Sequence, residues 1–160
     1  MKIKTSEIQE LLLAVLPHWR YRIVKPFKKI LGDGVSMEMY YCIQILRTNP
    51  DLMTMTELAR KTGMPKQQVT KMVDRLIGQE FVERVQSPDD RRTIKLKITD
   101  KATEYINHFL ESDAACFKEF FDNMESDDRN AFASALKTIF DIFIEMSKND
   151  LVGKESDSQC

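Results

Sequence analysis

The sequence predicts a mainly α-helical protein with one small β-hairpin. Apolar residues recur at intervals of three and four through most of the 160 residues, which is typical of helices that bury one face. Residues 81–86 and 94–99 instead alternate apolar and polar side chains, which is typical of short strands. With 42% hydrophobic and 31% charged residues, the chain is expected to bury a core of its own.

The first helical segment is predicted over residues 6–31. Pro17 and Pro26 lie inside it, and each removes a backbone donor and crowds the preceding turn. We therefore expect a kink or a break in this segment. The two glycines of residues 32–34 are expected to end it, because glycine readily adopts the left-handed conformation found at helix ends.

The next helices begin at residues that can cap them. Ser36 is placed to cap a helix over about residues 36–48. Thr54 and Glu57 have the spacing of a capping box, in which each side chain accepts a hydrogen bond from the other residue's backbone N–H. Two short helices are predicted from there on, over residues 54–61 and 66–79.

The hairpin follows directly. Residues 81–86 and 94–99 are its predicted strands, and residues 87–90 (SPDD) suit a type I turn with proline in the second position. The tip then carries Arg91 and Arg92. An arginine tip of this kind is either a solvated loop or the contact surface for an anionic partner.

Two long helices are predicted after the hairpin. The first runs over about residues 100–123 and is capped by Thr99. The second runs over residues 126–148. The polar residues 149–160 are expected to form a disordered tail.

The net charge of −1 hides a polarised distribution. Residues 1–53 contain 8 basic and 5 acidic side chains, residues 54–99 contain 10 and 6, and residues 100–160 contain 6 and 14. Such a chain can present a basic face to nucleic acid while its acidic part remains solvated. The three cysteines lack the spacing of a disulfide framework or a zinc site.

The helices at 54–61 and 66–79, joined by a turn that contains Gly63, have the spacing of a helix-turn-helix, whose second helix lies in the major groove of DNA. The side opposite its apolar stripe carries amide, hydroxyl and basic groups, which can bond bases or phosphates. A solvated helix face is the alternative, but the basic hairpin tip favours DNA. The candidate contact residues are Thr56, Lys66, Gln67, Gln68, Thr70, Lys71, Arg75, Arg84, Arg91, Arg92 and Lys95.

From about residue 30 to residue 100 the sequence resembles the MarR (multiple antibiotic resistance regulator) family of winged helix-turn-helix transcription factors. The matching stretches are TELARKTGMPKQQVTKMVDRLIGQEFVERV and SPDDRRTIKLKITDKA. The resemblance implies a winged helix-turn-helix domain over residues 35–99 and a helical dimerisation region over residues 1–34 and 100–148. It therefore implies a homodimer on a pseudo-palindromic operator in double-stranded DNA.

The resemblance also implies roles in the wing. Its signature, Asp-x-Arg, falls on Asp90-Arg91-Arg92, where Arg92 would enter the minor groove, Asp90 would support it and Arg91 would lie near phosphate. Asp74 departs from what a DNA-facing helix surface needs, because an acid there repels phosphate. We expect it to pair with a nearby arginine, the candidates being Arg75, Arg84 and the wing arginines.

Members of this family often sense small amphipathic acids, phenols or oxidants in a cleft between the dimer helices and the winged domain. The candidates for such an effector pocket are His18, Trp19, Tyr21, Arg22, Tyr40 and Tyr41, each of which equally suits packing or an interface. Cys42 follows the two tyrosines and leaves a thiol-based redox switch open, although a buried cysteine is more often inert.

Other classes are less well supported. His18 and His108 lie far apart with no nucleophile motif or glycine-rich phosphate loop, which disfavours an enzyme. His, Cys and acidic residues form no close cluster, so no metal or other cofactor is expected. A winged-helix protein-interaction module remains an alternative. The N-terminus has no signal-peptide pattern and the longest apolar run is six residues, which predicts a cytoplasmic protein without a membrane partner. The preferred interpretation is a homodimeric repressor released by a small-molecule effector.

Overall fold

The computed structural model describes residues 3–32, 34–49, 51–111 and 115–152. The chain divides into two compact units, the first of which ends at Lys118 and the second of which begins at Glu119. Within the described residues, every helix is too short or too polar to cross a membrane.

The first unit contains α1 (Thr5–Trp19), a π-helical turn (Arg20–Val24), α2 (Lys25–Ile30), α3 (Met37–Thr48), α4 (Met55–Thr62), α5 (Lys66–Gly78), β1 (Val82–Gln86), β2 (Ile94–Ile98) and α6 (Asp100–Glu111). α7 (Ala115–Asp122) spans the boundary, and α8 (Ser126–Val152) lies in the second unit. The two strands pair antiparallel, from Val82 opposite Ile98 to Gln86 opposite Ile94. The predicted class, mainly α-helical with a β-hairpin, is confirmed.

Of the kink or break expected in the first segment, the break does not occur, because the chain stays helical from α1 through the π-helical turn into α2. In that turn the N–H of Lys25 bonds to the carbonyl of Arg20, five residues back. The wider turn ends at Val24, two residues before Pro26. Pro26 then falls in the first turn of α2, where a missing backbone donor costs least. A local change of helix type thus accommodates the proline.

The predicted caps are confirmed. The hydroxyls of Ser36 and Thr99 each accept the N–H three residues on, both at 3.2 Å, at the starts of α3 and α6. The capping box is complete, since the Thr54 hydroxyl accepts the Glu57 N–H at 3.2 Å and the Glu57 carboxylate accepts the Thr54 N–H at 2.6 Å. These local bonds satisfy backbone donors that a helix start leaves free.

One hydrophobic core holds α3 to α6 and the base of the hairpin together. Its largest fully buried side chains are Met39, Cys42, Ile43, Leu58, Val69, Val73 and Leu76. The hairpin joins this core through Leu96, which is 2% exposed and whose N–H donates to the carbonyl of Met53 at 2.8 Å. The hairpin is therefore fixed at its base to the residues just before α4.

The predicted position of the hairpin turn is wrong. The N–H of Thr93 bonds to the carbonyl of Asp90 at 2.9 Å, so the hydrogen-bonded turn covers residues 90–93 and not residues 87–90. The Asp90 carboxylate causes this shift, since it accepts the backbone N–H of Arg92 at 2.9 Å and the hydroxyl of Thr93 at 2.8 Å. A side chain that bonds to the backbone two residues on creates a turn by itself.

The C-terminal helices differ from prediction at their ends. In place of one helix over residues 100–123 the structure describes α6 and α7, and residues 112–114 between them lie outside the described residues. α8 extends to Val152, so the predicted disordered tail is wrong for residues 149–152. Each further helical residue adds a backbone hydrogen bond, and no glycine or proline intervenes before residue 153. Residues 153–160 lie outside the described residues.

Candidate nucleic-acid interface

The interface is built on α4, a tight turn and α5. Gly63 ends α4 with φ +67°, a left-handed conformation that suits glycine, and its N–H bonds to the carbonyl of Arg60 at 3.2 Å. α5 then turns Val69 and Val73 into the core, where neither keeps exposed surface. The opposite side of α5 therefore faces solvent, as a helix that enters a DNA groove requires.

Most of the predicted contact residues lie on the surface. Thr70 and Lys95 are half-buried, and the hydroxyl of Thr70 donates to the Lys66 carbonyl at 2.9 Å, which leaves its oxygen free to accept. The exposed ones are Thr56, Lys66, Gln67, Gln68, Lys71, Arg75, Arg84, Arg91 and Arg92. The structure brings the helix and hairpin candidates into one compact unit.

Asp74 pairs with Arg84. The Arg84 Nη2 atom lies 2.8 Å from the Asp74 Oδ1 atom, which links α5 to β1 and confirms that the acid on this surface has an arginine partner. The two side chains are 50% and 54% exposed, so the pair contributes at most about 1 kcal/mol to stability. The pair neutralises an acid on the exposed side of α5 and links the hairpin to that helix.

Asp90 supports the hairpin tip through the backbone. Hydrogen bonds from the Arg92 N–H and the Thr93 hydroxyl hold the pKa of this carboxyl below its usual value, so it is ionised at neutral pH. Within the described residues, no ion pair joins Asp90 to the guanidinium of Arg92. Asp90 thus positions the backbone that presents Arg92 and leaves that guanidinium available.

Glu80 is a structural residue that sequence reasoning missed. It follows α5 in the left-handed region with φ +63°, which glycine usually occupies. The N–H of Glu80 bonds to Ile77 at 2.9 Å and that of Phe81 to Leu76 at 2.8 Å, the two bonds of a Schellman motif. Its carboxylate pairs with Lys101 at 2.7 Å. The signal was weak, because Gly78 stands two positions too early to mark this end.

The effector candidates do not form one site in a single chain. On α3, Tyr40 packs edge-on against Phe27, with ring centres 4.6 Å apart, and accepts a bond from the Gln44 amide. Tyr41 adjoins it and is 45% exposed. The other candidates, His18, Trp19, Tyr21 and Arg22, are exposed on α1 and the π-helical turn. Within the described part of the chain, no hydrogen bond, ion pair or ring contact joins them to the two tyrosines.

Cys42 is fully buried, and burial raises the pKa of its thiol to about 11. A thiol in this state is protonated and inaccessible at neutral pH, which argues against a redox switch at this residue. Residues 3–32, 34–49, 51–111 and 115–152 also contain no group of three or more His, Cys, Asp or Glu side chains that could hold a metal ion.

Comparison with known proteins agrees with this geometry. The MarR family model matches residues 34–93, which span α3, α4, α5, β1 and the hairpin turn. The regulator YpoP of Bacillus subtilis is 25% identical over 151 residues, which cover 92% of this chain and 99% of YpoP.

Two solved structures show the same fold. Rv1404 of Mycobacterium tuberculosis matches 88% of this chain and 95% of its own with a TM-score of 0.72 at 18% identity. The transcriptional repressor CouR, bound to a 23-mer DNA duplex, matches 87% and 99% with a TM-score of 0.60 at 26% identity. Residues 34–93 therefore match the MarR family, and most of the chain is similar to regulators of transcription.

Proposed function

We propose that the protein is a homodimeric DNA-binding repressor that holds a pseudo-palindromic operator and releases it when a small amphipathic or phenolic effector binds. One observation carries the proposal. The exposed polar face of α5 and the arginines at the tip of the wing, residues 87–93, belong to the same compact unit. The base of the wing is fixed to that unit by the hydrogen bond from Leu96 to Met53. The match of residues 34–93 to the MarR family and the similarity to CouR, whose structure is bound to DNA, support it.

Each group of residues has a distinct part in this proposal. Gln67 and Lys71 reach base edges in the major groove, since glutamine suits adenine and lysine suits guanine. Arg92 enters the minor groove, where narrow A·T tracts concentrate negative potential. Lys66, Gln68 and Thr70 flank the base-reading positions. Phosphate contacts come from Thr56, Arg75, Arg84, Arg91 and Lys95.

Exposed apolar helix faces support the homodimer. In the single chain both α1 and α8 leave large apolar side chains in solvent, and contiguous surface of this kind marks an interface. They are Ile8, Leu11, Leu12, Leu13, Val15 and Leu16 on α1, and Ile139, Phe140, Ile142, Phe143 and Met146 on α8. We assign residues 1–34 and 100–148 to the dimerisation region and residues 35–99 to the DNA-binding domain.

The effector belongs to the same proposal. Tyr40 and Tyr41 offer aromatic surface and Arg22 a cation for an acidic group, with His18 and Trp19 nearby in sequence. Release follows if the effector binds the DNA-free arrangement of the dimer more tightly than the DNA-bound one. A repressor works in the compartment that holds its operator DNA, and we propose that this compartment is the cytoplasm.

Hydroxyl-radical footprinting on the DNA upstream of the protein's own gene, with ultracentrifugation of the complex, tests the proposal. We expect one dimer and two protected segments separated by about 10 base pairs or a multiple of that spacing. A dimer that protects no DNA at low salt would contradict it. Such a result would favour the protein-interaction module, whose binding needs no basic wing.

A further inference from the structure

A second basic surface lies outside the helix-turn-helix. Residues 20–29 contain five cationic side chains, and no acidic residue occurs between positions 11 and 32. All five are exposed, and none forms an ion pair within the described residues. They are Arg20, Arg22, Lys25, Lys28 and Lys29. Unpaired cations at this density attract an anionic partner.

The π-helical turn aligns four of these charges. Its hydrogen bond from Lys25 to Arg20 spans five residues and places Lys25 one turn above Arg20, on the same side of the helix. Lys28 and Lys29 follow Lys25 at spacings of three and four on α2, which again keeps them on that side. In an uninterrupted α-helix, positions 20 and 25 would point in different directions. We call Arg20, Lys25, Lys28 and Lys29 the basic stripe.

Contacts to the elements around α5 fix the position of the helical segment that carries the basic stripe. In α2, Phe27 packs against Tyr40 of α3. At the end of α2, the Tyr105 hydroxyl donates to the carbonyl of Leu31 at 2.6 Å. The amide of Gln79, the residue directly after α5, donates to the carbonyl of Gly34 at 2.9 Å.

Gly34 is needed for this last contact. It has φ +108°, and a Cβ atom there would lie only 2.9 Å from the Gln79 amide nitrogen. The loop after α2 therefore comes close to the end of α5, so the stripe and α5 keep a fixed position relative to each other.

We propose that the basic stripe is a second phosphate-binding surface, which contacts backbone phosphates of duplex DNA that α5 and the wing do not reach. The proposal rests on the proposed DNA-binding function. The stripe spans nine helical steps, about 13 Å. That length matches about four phosphates of one strand at about 3.4 Å each. An open row of charges suits an extended polyanion better than a compact anion, which needs convergent donors.

A lipid surface fits less well. Apolar side chains of the same segment, among them Ile23, Val24 and Phe27, are half-buried against the protein and do not border the stripe as an inserting edge. Tyr21 is exposed, but the Lys25 ammonium lies over its ring at 5.3 Å from the centre. Charge without an exposed aliphatic side chain among residues 20–29 favours DNA phosphate.

The test compares two variants of equal net charge in the full-length protein. The stripe variant is Arg20→Gln/Lys25→Gln/Lys29→Gln. It keeps Lys28, because its charge, after a backbone hydrogen bond and the Ser36 hydroxyl, also lowers the pKa of Glu38. The control variant neutralises three exposed lysines elsewhere, Lys4→Gln/Lys118→Gln/Lys137→Gln. The probe is a random-sequence 40-base-pair duplex, because phosphate contacts do not depend on sequence. Fluorescence anisotropy gives the binding constant at several KCl concentrations.

We expect the stripe variant to bind with a shallower dependence of log K on log[KCl]. Each lost phosphate contact reduces the slope by about 0.9, which amounts to about 2.7 for each protomer that loses three. The control variant should keep the wild-type slope. Equal slopes for the stripe and control variants would overturn the inference and leave the DNA-binding proposal intact, whereas wild-type protein that binds no duplex would overturn the DNA-binding proposal itself.

Two further measurements keep the test decisive. If thermal melting shows that the triple variant does not fold, Lys29→Gln alone should lower the slope by about 0.9 per protomer. Vesicles of phosphatidylserine and phosphatidylcholine test the lipid alternative by sedimentation. If the wild type binds these vesicles and the stripe variant does not, while the two have equal DNA slopes, the stripe is assigned to a membrane and the inference is overturned.

Discussion

The guanidinium of Arg84 on β1 lies 2.8 Å from the carboxylate of Asp74 on α5. This ion pair joins the two elements that are proposed to enter neighbouring grooves of DNA. Because half of each side chain is exposed, the pair affects how the wing is oriented more than how stable the fold is. It also neutralises the charge of Asp74 on a surface that is proposed to approach phosphate.

Arg84→Gln should weaken DNA binding several-fold while it changes the free energy of unfolding by less than about 1 kcal/mol. The variant loses a cation, leaves Asp74 unpaired and frees the wing. Adding Asp74→Asn should restore part of the affinity, since the repulsion disappears. Asp74→Ala alone should loosen the wing. Anisotropy on one duplex measures the affinities, and thermal unfolding measures stability.

The neighbouring pair between Glu83 and Lys97 is a matched control, with a separation of 3.3 Å and similar exposure. It joins the two strands and does not reach α5. Glu83→Gln/Lys97→Gln should therefore leave the affinity closer to that of the wild type than Asp74→Asn/Arg84→Gln does. Equal affinities for Arg84→Gln and wild type would show that the contact to Asp74 has no part in binding.

Asp90→Ala should weaken DNA binding, because the turn that presents Arg92 loses both of its side-chain hydrogen bonds. Asp89→Ala removes the same charge one residue earlier and should not weaken binding. The comparison separates backbone support from charge. If both variants bind alike, Asp90 does not act through the turn.

The same hydrogen bonds predict a pH dependence of the wing. Because the folded state lowers the pKa of Asp90 below its usual 3.8, the contribution of this carboxylate is present above that pH and is lost as the pH falls through the lower, folded-state pKa. The amide resonance of Arg92 should therefore titrate below pH 3.8 in NMR spectra. It should not titrate in Asp90→Asn, and a midpoint above 3.8 in the wild type would contradict the assignment.

Glu80→Gly should melt at a higher temperature than Glu80→Ala. Both variants lose the contact to Lys101. The difference between their melting temperatures therefore isolates the strain of a left-handed residue with a Cβ atom at φ +63°. A melting temperature roughly 2–4 °C higher is expected for the glycine variant in a chain of this size. Equal melting temperatures would mean that position 80 is unstrained.

Cys42 should not act as a redox switch. In a Cys116→Ser/Cys160→Ser background, peroxide or a maleimide should leave DNA affinity unchanged, because the remaining thiol is fully buried. Loss of affinity together with modified Cys42 in mass spectra would restore the redox hypothesis. The raised pKa also predicts that stability falls as pH rises from about 9 to about 11, and that Cys42→Ala removes this effect.

Helix starts were predictable because they depend on neighbours in sequence. Ser36, Thr54 and Thr99 each bond to a backbone N–H three residues away, and any fold that keeps those helices keeps those bonds. The partner of Asp74 was predicted only as one of several arginines. Choosing Arg84 requires the register of β1 against α5, which no local pattern contains.

The remaining differences come from competing local solutions of similar energy. At the hairpin tip, Pro88 favoured one turn, but the Asp90 carboxylate stabilises another three residues on. Pro26 has no backbone N–H, and either a break in the helix or a wider helical turn can accommodate its absence. The packing of Phe27 against Tyr40 of α3 favours the wider turn, which keeps the helix continuous. The basic stripe depends on that choice, so the sequence pattern alone could not show it.

The most direct test of the central claim is fluorescence anisotropy with wild type and Arg92→Gln on two duplexes, the DNA upstream of the protein's own gene and a scrambled duplex of equal length. The account predicts tight, steeply salt-dependent binding by the wild type that prefers the upstream duplex, and loss of much of that preference in Arg92→Gln. Equal, weak binding of both duplexes by both proteins at low salt would contradict it.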